Sequence, residues 1–319
     1  MIAVTRPRRL VFVAANPSID RLYEVEQLVQ GAIHRPTMVV ARPGGKGLNA
    51  ARAAAALGAQ VTAVGIVAGR AGDWVVERLA EIGIDAPMVR STGETRSCIS
   101  ILDRSTGSLT ELYEQGQTIE SAAWGALEAI VASELDRGDV GSLAFSGSLP
   151  PGAPTDGYAR IARIAAARFV PVLADTYGLA LAELLAEIPS VVKVNAAEAA
   201  EVTGLTVDDA ASAAAAAGIL TARGAAGVVV TLGIAGAVVV SAAGATFLVP
   251  PDVRGVYPVG SGDAFFAGLA AALIDGGPLE EAARRGMAAG IANALVPGAG
   301  ELDRAAAERL VHEIKVRAM

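Results

Sequence analysis

The chain has 319 residues with a formal net charge of -7, and 53% of its residues are hydrophobic. This composition suffices for a large globular core, and the acidic balance argues against a nucleic-acid-binding surface. A single cysteine, Cys98, excludes an internal disulfide and favours a reducing, cytoplasmic location. The two histidines cannot build a histidine metal site, and the apolar run over residues 10–15 is too short to cross a membrane.

Short apolar runs alternate with helical patterns along most of the chain. The runs that predict buried strands are residues 10–14, 61–64, 142–145, 171–173, 191–193 and 228–231. Helical patterns include residues 73–82, 122–135, 158–168 and 208–223. This alternation predicts an α/β fold, a mostly parallel sheet with helices on both faces. No long linker interrupts the pattern, so we expect one domain over residues 1–319.

Two segments break the alternation between strands and helices. Residues 21–26 with 37–42, and residues 97–103 with 109–113, have the pattern of short antiparallel strand pairs joined by turns. They predict a small second sheet formed by two inserted segments, about residues 20–43 and 96–114.

A first glycine cluster lies at residues 43–52 and leads into an Ala-rich helix that stops near Gly58. The glycines at 44, 45 and 47 let the backbone approach a ligand closely, and Lys46 and Asn49 add a charge and an amide at the start of the helix. This is not a Walker A loop, because Gly47 stands where that motif requires Ser or Thr.

A second glycine cluster, over residues 257–265, contains Gly260, Ser261, Gly262 and Asp263 and opens a helix that extends to about Ile274. Free backbone N–H groups and the positive end of the helix dipole favour phosphate at such a site. Asp263 adds a proton acceptor at the same place, as phosphoryl transfer to an alcohol requires. The alternative role for Asp263 is a helix cap without chemistry.

Together the two clusters resemble the paired signatures of the ribokinase/phosphofructokinase-B sugar kinase family. Further landmarks fall in the family's order, at residues 15–20, 93–96, 146–152, 193–198 and 231–237. The resemblance implies a ribokinase-like fold and ATP-dependent phosphorylation of a sugar with Mg²⁺. It also implies that the small sheet is a lid over the sugar site, with one apolar face that pairs two subunits into a homodimer.

The resemblance also implies roles for individual residues. Asp263 resembles the catalytic base, and Gly260, Ser261 and Gly262 resemble the anion hole. The residues that resemble sugar ligands are Asp20, Gly44, Gly45, Lys46, Asn49 and Ser146. Asn195 and Glu198 resemble the pair that organises Mg²⁺, with a helix cap and a solvated acid as the alternative. The nucleotide-binding residues implied are Lys193, Asn195, Thr231, Gly233 and Gly236.

Arg35 and Arg96 resemble arginines that bind phosphate in the family's phosphohexose subgroup, which includes tagatose-6-phosphate kinases and 1-phosphofructokinases. Pro258 resembles the residue at this place in tagatose-6-phosphate kinases, which implies tagatose 6-phosphate as the first candidate substrate, with fructose 1-phosphate and fructose 6-phosphate as alternatives. Val194 departs from the family's proline and leaves the path of the Mg²⁺ segment open. A free-sugar or nucleoside kinase and a non-catalytic sugar-phosphate sensor are the remaining hypotheses.

Overall fold

A computed structural model describes residues 8–319 and contains two sheets. Residues 1–7 of the predicted domain lie outside the described part. The large sheet has the strand order β14-β13-β12-β11-β10-β9-β8-β1-β4-β5. Its strands are β1 (Arg9–Ala14), β4 (Val61–Ala68), β5 (Met88–Ser91), β8 (Val140–Ser146), β9 (Val172–Asp175), β10 (Val191–Asn195), β11 (Val228–Thr231), β12 (Ala237–Ser241), β13 (Gly244–Val249) and β14 (Lys315–Ala318).

In the large sheet, the neighbouring strands β5, β4, β1, β8, β9, β10 and β11 run parallel, as the sequence predicts. Strands β12 to β14 extend that sheet with antiparallel pairing. Ten α-helices accompany the strands in the described residues. They are α1 (Lys46–Ala56), α2 (Gly69–Glu81), α3 (Ser121–Asp136), α4 (Gly157–Ala166), α5 (Gly178–Leu185), α6 (Ala196–Thr203), α7 (Ala210–Ala222), α8 (Ser261–Ile274), α9 (Leu279–Ala294) and α10 (Arg304–Val311).

The helices cover both faces of the large sheet and form two hydrophobic cores. Residues of α1, α2, α8, α9 and α10 pack in one core, and residues of α3 to α7 pack in the other. Strand β1 supplies both, because alternate side chains point to opposite faces. Leu10 and Phe12 belong to the first core, and Val11 and Val13 belong to the second. The predicted layering is therefore confirmed.

The small sheet consists of β2 (Ser18–Val25), β3 (Met38–Gly44), β6 (Arg96–Asp103) and β7 (Leu109–Tyr113), in the order β3-β2-β6-β7. Both predicted antiparallel pairs are present, and a parallel pairing of β2 with β6 joins them. Leu22 and Cys98 are buried on one face of this sheet, whereas Val39 and Leu112 are exposed on the other.

Among residues 8–319, none of the helices combines the length and the apolar character that a membrane span requires. The parallel strands place their carboxyl ends along one edge of the large sheet, which is where open α/β sheets bind ligands. The two glycine clusters meet at this edge, because α1 and α8 pack in the same core.

Candidate active site

A cleft of about 370 Å³ lies between the carboxyl edge of the large sheet and the small sheet. Residues from both glycine clusters and from both inserted segments line it. The predicted site residues in this lining are Asp20, Gly45, Lys46, Asn49, Arg96, Ser146, Gly260 and Asp263. Segments more than 200 residues apart in sequence therefore form one site, as Asn49 and Asp263 show with a separation of 214.

The start of α8 presents a glycine-containing turn to this cleft. Gly260 is the N-cap residue with φ of 82°, and a Cβ there would lie 2.6 Å from the Cα of Ala299. Both the left-handed conformation and the close packing therefore require glycine. The N–H groups of Gly262 and Asp263 have no intrahelical partner within the described chain and are available for an anion.

Asp263 lies in the first turn of α8, whose N-cap residue is Gly260, and its carboxylate accepts from the Asn49 side chain rather than from a backbone N–H of the helix. The capping alternative is therefore wrong. The carboxylate is buried and accepts a hydrogen bond from Asn49 Nδ2 at 3.1 Å. Burial raises the pKa of Asp263 to about 7, with Lys46 opposing this rise and Asp175 adding to it. A carboxylate with such a pKa is suited to accept a proton near neutral pH.

Asp20 connects the small sheet to the same amide. Its carboxylate accepts hydrogen bonds from Asn49 Nδ2 at 3.0 Å, from Ser18 Oγ at 2.6 Å and from the Gly45 N–H at 3.2 Å. Gly44 lies outside the cleft lining but makes room for this carboxylate, since a Cβ there would lie 2.0 Å from Asp20 Cγ. Asn49 thus bridges Asp20 and Asp263 with one amide group.

Lys46 projects from the start of α1 into a group of charged side chains. Its Nζ lies 2.9 Å from Asp175 Oδ1 and 3.2 Å from Glu198 Oε1. Burial lowers the pKa of Lys46, but the carboxylates of Asp175 and Glu198 outweigh burial and raise it above its ordinary value. Lys46 is therefore firmly cationic beside the cleft.

Asp175 is a site residue that the sequence analysis missed. It ends β9, is fully buried, and contacts Lys193 Nζ at 3.3 Å in addition to Lys46. Burial alone would raise the pKa of Asp175, but Lys193 and Lys46 outweigh it and hold the pKa below its ordinary value. An acid at the carboxyl end of a parallel strand was the available signal.

Lys193 lies beside the start of α8, because its Nζ would be 3.2 Å from a Cβ placed on Gly262. Strand β10 continues from Lys193 through Val194 to Asn195, which pairs with Thr231 of β11. The absence of the family's proline therefore leaves this segment a regular strand. Thr231 and the short 3-10 turn Gly233–Ala235, followed by Gly236, lie at the same edge but outside the cleft lining.

Asn195 and Glu198 form a capping box at the start of α6. Asn195 Oδ1 accepts the Glu198 N–H at 2.9 Å, and Glu198 Oε2 accepts the Asn195 N–H at 2.8 Å. The capping alternative is thus correct for Asn195. Glu198 is not a solvated acid, however, since its Oε1 contacts Lys46.

The two phosphate-binding candidates differ in position. Arg96 lines the cleft and donates to the backbone oxygens of Glu114 at 3.2 Å and Asn16 at 3.1 Å. Arg35 lies on the exposed connection between β2 and β3 and does not line the cleft of its own chain. The cleft also contains Cys98, Glu111, Tyr113 and Tyr177, which the sequence analysis did not assign to the site.

Comparison with known proteins agrees with this geometry. The family model for pfkB family carbohydrate kinases matches residues 10–305. The chain is 36% identical to the 1-phosphofructokinase of Xanthomonas campestris pv. campestris over 281 residues, which cover 86% of this chain and 87% of that protein. It is 30% identical over 304 residues to the tagatose-6-phosphate kinase of Staphylococcus epidermidis, covering 94% of this chain and 97% of that protein.

Solved structures show the same relationship. The phosphofructokinase-2 of Escherichia coli in complex with fructose-6-phosphate superposes with a TM-score of 0.86 at 27% identity, covering 96% of this chain and 98% of that one. A match over most of the chain, relatives at or above 30% identity and a shared ribokinase-like fold lead to one conclusion. The chain belongs to the pfkB family of carbohydrate kinases.

Proposed function

We propose that this kinase transfers the γ-phosphoryl group of ATP to a hydroxyl group of a phosphorylated ketohexose. The observation that carries the proposal is the buried Asp263 carboxylate at the start of α8, in a cleft that Arg96 also lines. The two relatives, a 1-phosphofructokinase and a tagatose-6-phosphate kinase, support a sugar phosphate as the acceptor. Tagatose 6-phosphate is our first candidate, with fructose 1-phosphate and fructose 6-phosphate as alternatives.

The acceptor sugar is held by Asp20 and Asn49, which present a carboxylate and an amide on one side of the cleft, with the backbone of Gly45 beside them. Asp263 accepts the proton of the reacting hydroxyl, whose oxygen forms a bond to the γ-phosphorus. The bond from that phosphorus to the bridging oxygen breaks, and its electron pair leaves with ADP. The N–H groups of Gly262 and Asp263 stabilise the charge on the transferred group.

The residues present fit a magnesium ion bound through water. Among the described residues, no three His, Cys, Asp or Glu side chains are arranged to bind a metal directly. Asn195 and Glu198 present side-chain oxygens at the start of α6, with Glu198 also beside Lys46, and oxygen ligands with water are what Mg²⁺ prefers. When bound with ATP, Mg²⁺ supplies neutralisation of phosphate charge. Lys193, Thr231, Gly233 and Gly236 complete our proposed nucleotide site.

We also propose that the small sheet pairs two subunits. By strand register its outer face carries Val39, Tyr23 and Ile101 in one row, and Ile99 with Leu112 in the next. Val39 is 55% exposed and Leu112 is 57% exposed. Thr110 completes the first row and Arg21 lies in the second, so only the two rows together form an apolar stripe that reaches all four strands. Such a stripe favours burial against a second copy.

This assembly offers a role for Arg35. Because Arg35 lies outside the cleft of its own chain, it reaches a bound phosphate only if the connection between β2 and β3 moves or serves the second subunit's cleft.

The experiment that tests the proposed activity is ADP formation from Mg-ATP with a panel of hexose phosphates and free sugars. Preference for a free sugar would replace the phosphorylated acceptor, and binding without turnover would indicate a sensor.

Asp263→Asn should lower kcat by at least about 10²–10⁴-fold, the usual range for removal of a general base. The KM for ATP should change little, because the base acts on the acceptor hydroxyl. Steady-state kinetics with the preferred sugar phosphate checks this expectation.

Stability provides the control for Asp263→Asn. The folded pKa of about 7 lies above the ordinary carboxyl value of 3.8. The protonated carboxyl therefore favours the folded state at low pH, and this stabilisation is lost as the pH rises from 3.8 through 7. The variant avoids this loss and should unfold at the same or a higher temperature than wild type at pH near 8. Near-normal turnover in a folded variant would show that Asp263 is not the base.

Arg96→Ala should raise KM for the hexose phosphate by roughly ten- to a hundredfold, since a charge-assisted hydrogen bond to phosphate contributes about 1.5–3 kcal/mol. The KM for ATP should stay near the wild-type value. Arg104→Ala is a matched control, because Arg104 is on the same small-sheet side, pairs with Glu24 and does not line the cleft. Equal effects of both substitutions would remove Arg96 from the phosphate site.

Val39→Asp combined with Leu112→Asp should convert a dimer into a species with the single-chain mass of 32.1 kDa, because the change buries charge at the apolar stripe. Light scattering of wild type and variant measures this directly. Ile82→Asp is the control, since Ile82 is 54% exposed but lies at the end of α2, outside the small sheet. A monomeric wild type contradicts the proposed assembly.

A further inference from the structure

Asn293 is a fully buried polar residue in α9, outside the cleft lining. Most of its buried neighbours in α9 are alanine or glycine. A buried amide is costly unless its hydrogen-bonding groups are satisfied, so its partners indicate its role.

The carboxamide of Asn293 connects two separate segments. Its Nδ2 donates to Val259 O at 2.9 Å and lies 3.4 Å from Ser261 Oγ, while its Oδ1 accepts the Gly300 N–H at 2.8 Å. The orientation of the amide is fixed by chemistry, because a backbone carbonyl can only accept and a backbone N–H can only donate. Asn293 therefore joins the turn that precedes α8 to the segment at Gly300.

A chain of contacts leads from these two segments to Asn49 and Asp263. The turn at Gly260 packs against residues 299 and 300, with a Cβ on Gly260 only 2.6 Å from the Gly300 nitrogen. Gly300 in turn packs against Asn49, where its own Cβ would lie 2.6 Å from Asn49 O. Asn49 donates to Asp263. Movement of either segment thus changes the position of the anion-binding N–H groups relative to Asn49 and the base.

We propose that Asn293 is a positioning residue for phosphoryl transfer, whose amide fixes the Val259–Ser261 turn against Gly300. The inference rests on the proposed function only in taking the start of α8 as the phosphoryl site. Asn293 does not touch the substrates in this account and acts through the turn that it holds. Its loss should therefore affect the transition state more than the binding of either substrate.

Asn293→Ala should lower kcat about ten- to a hundredfold, as expected when reacting groups are displaced by a fraction of an ångström to about 1 Å. The KM for ATP and for the acceptor should each stay within about threefold of wild type, since ground-state contacts are retained. Leu310→Ala is the stability control, because it removes a buried side chain from α10 without contacting the turn. That control should lower the melting temperature and leave kcat unchanged.

The pH dependence of kcat in the Asn293→Asp variant is a measurement that a purely structural role of Asn293 would not change. A protonated aspartic acid can donate to Val259 O and accept from the Gly300 N–H, as asparagine does. The ionised carboxylate cannot donate, so one of its oxygens would face the Val259 carbonyl oxygen without a hydrogen between them. The ratio of variant to wild-type kcat should therefore fall as pH rises between about 6 and 9, while that of Asn293→Ala stays constant. The aspartate variant also carries the test if the alanine variant does not fold.

Each ratio is measured with whichever acceptor wild type phosphorylates. A wild-type preference for a free sugar overturns the proposed substrate and leaves the inference on Asn293 intact. Wild-type kcat in a folded Asn293→Ala variant, or a pH-independent ratio for Asn293→Asp, overturns the inference on Asn293 alone. A wild-type chain without phosphotransfer to any acceptor overturns both.

Discussion

The burial of the Asp263 carboxylate at the start of α8 is the constraint on which the rest of the site depends. A buried carboxylate with one amide donor keeps a pKa of about 7, so it can accept and release a proton near neutral pH. Asp175 provides the contrast within the same cluster. Two lysines hold its pKa low, so it stays charged and keeps Lys46 and Lys193 in place. Environments that separate two carboxyl pKa values assign their roles.

The remaining features of the fold bring groups to this carboxylate. The parallel strands deliver Asp175 and Lys193 to one edge, and α1 delivers Asn49 and Lys46 to the same place. Asn49 then connects Asp263 to Asp20 on the small sheet. A shift of the small sheet is therefore felt at Asp263 through one amide. Closure of that sheet over a bound sugar would exclude water, which otherwise competes as the phosphoryl acceptor.

The sequence predicted the features that depend on local backbone chemistry. Glycine clusters that open helices predicted both ends of the cleft, and apolar periodicity predicted the layered sheet. Asp175 was missed because an acid after a short strand is common, and only the fold brings two lysines to it. Asn293 was missed for the same reason, since a lone amide in an Ala-rich helix has no local signature. Arg35 remains a prediction, because its position relative to a second subunit depends on assembly.

The edge strands β12 to β14 also escaped prediction. Strands β12 and β13 form a tight hairpin in which Ser241 pairs with Gly244, whereas β13 pairs with β14 (Lys315–Ala318) from the end of the chain. Strand β14 is exposed throughout and has no apolar pattern. Pairing between distant segments is decided by the assembled sheet rather than by local propensity. These strands extend the sheet beyond β11 and do not contribute to the cleft lining.

The pH dependence of kcat/KM tests the central claim most directly. With either substrate as the varied one, kcat/KM should fall about tenfold per pH unit below an apparent pKa near 7, because the protonated Asp263 cannot accept the hydroxyl proton. When ATP is the varied substrate, the fall in kcat/KM below pH 7 is separated from the second ionisation of a sugar phosphate, which has a pKa of about 6. A profile that stays flat down to about pH 5, or that follows only the substrate's ionisation, would contradict Asp263 as the base.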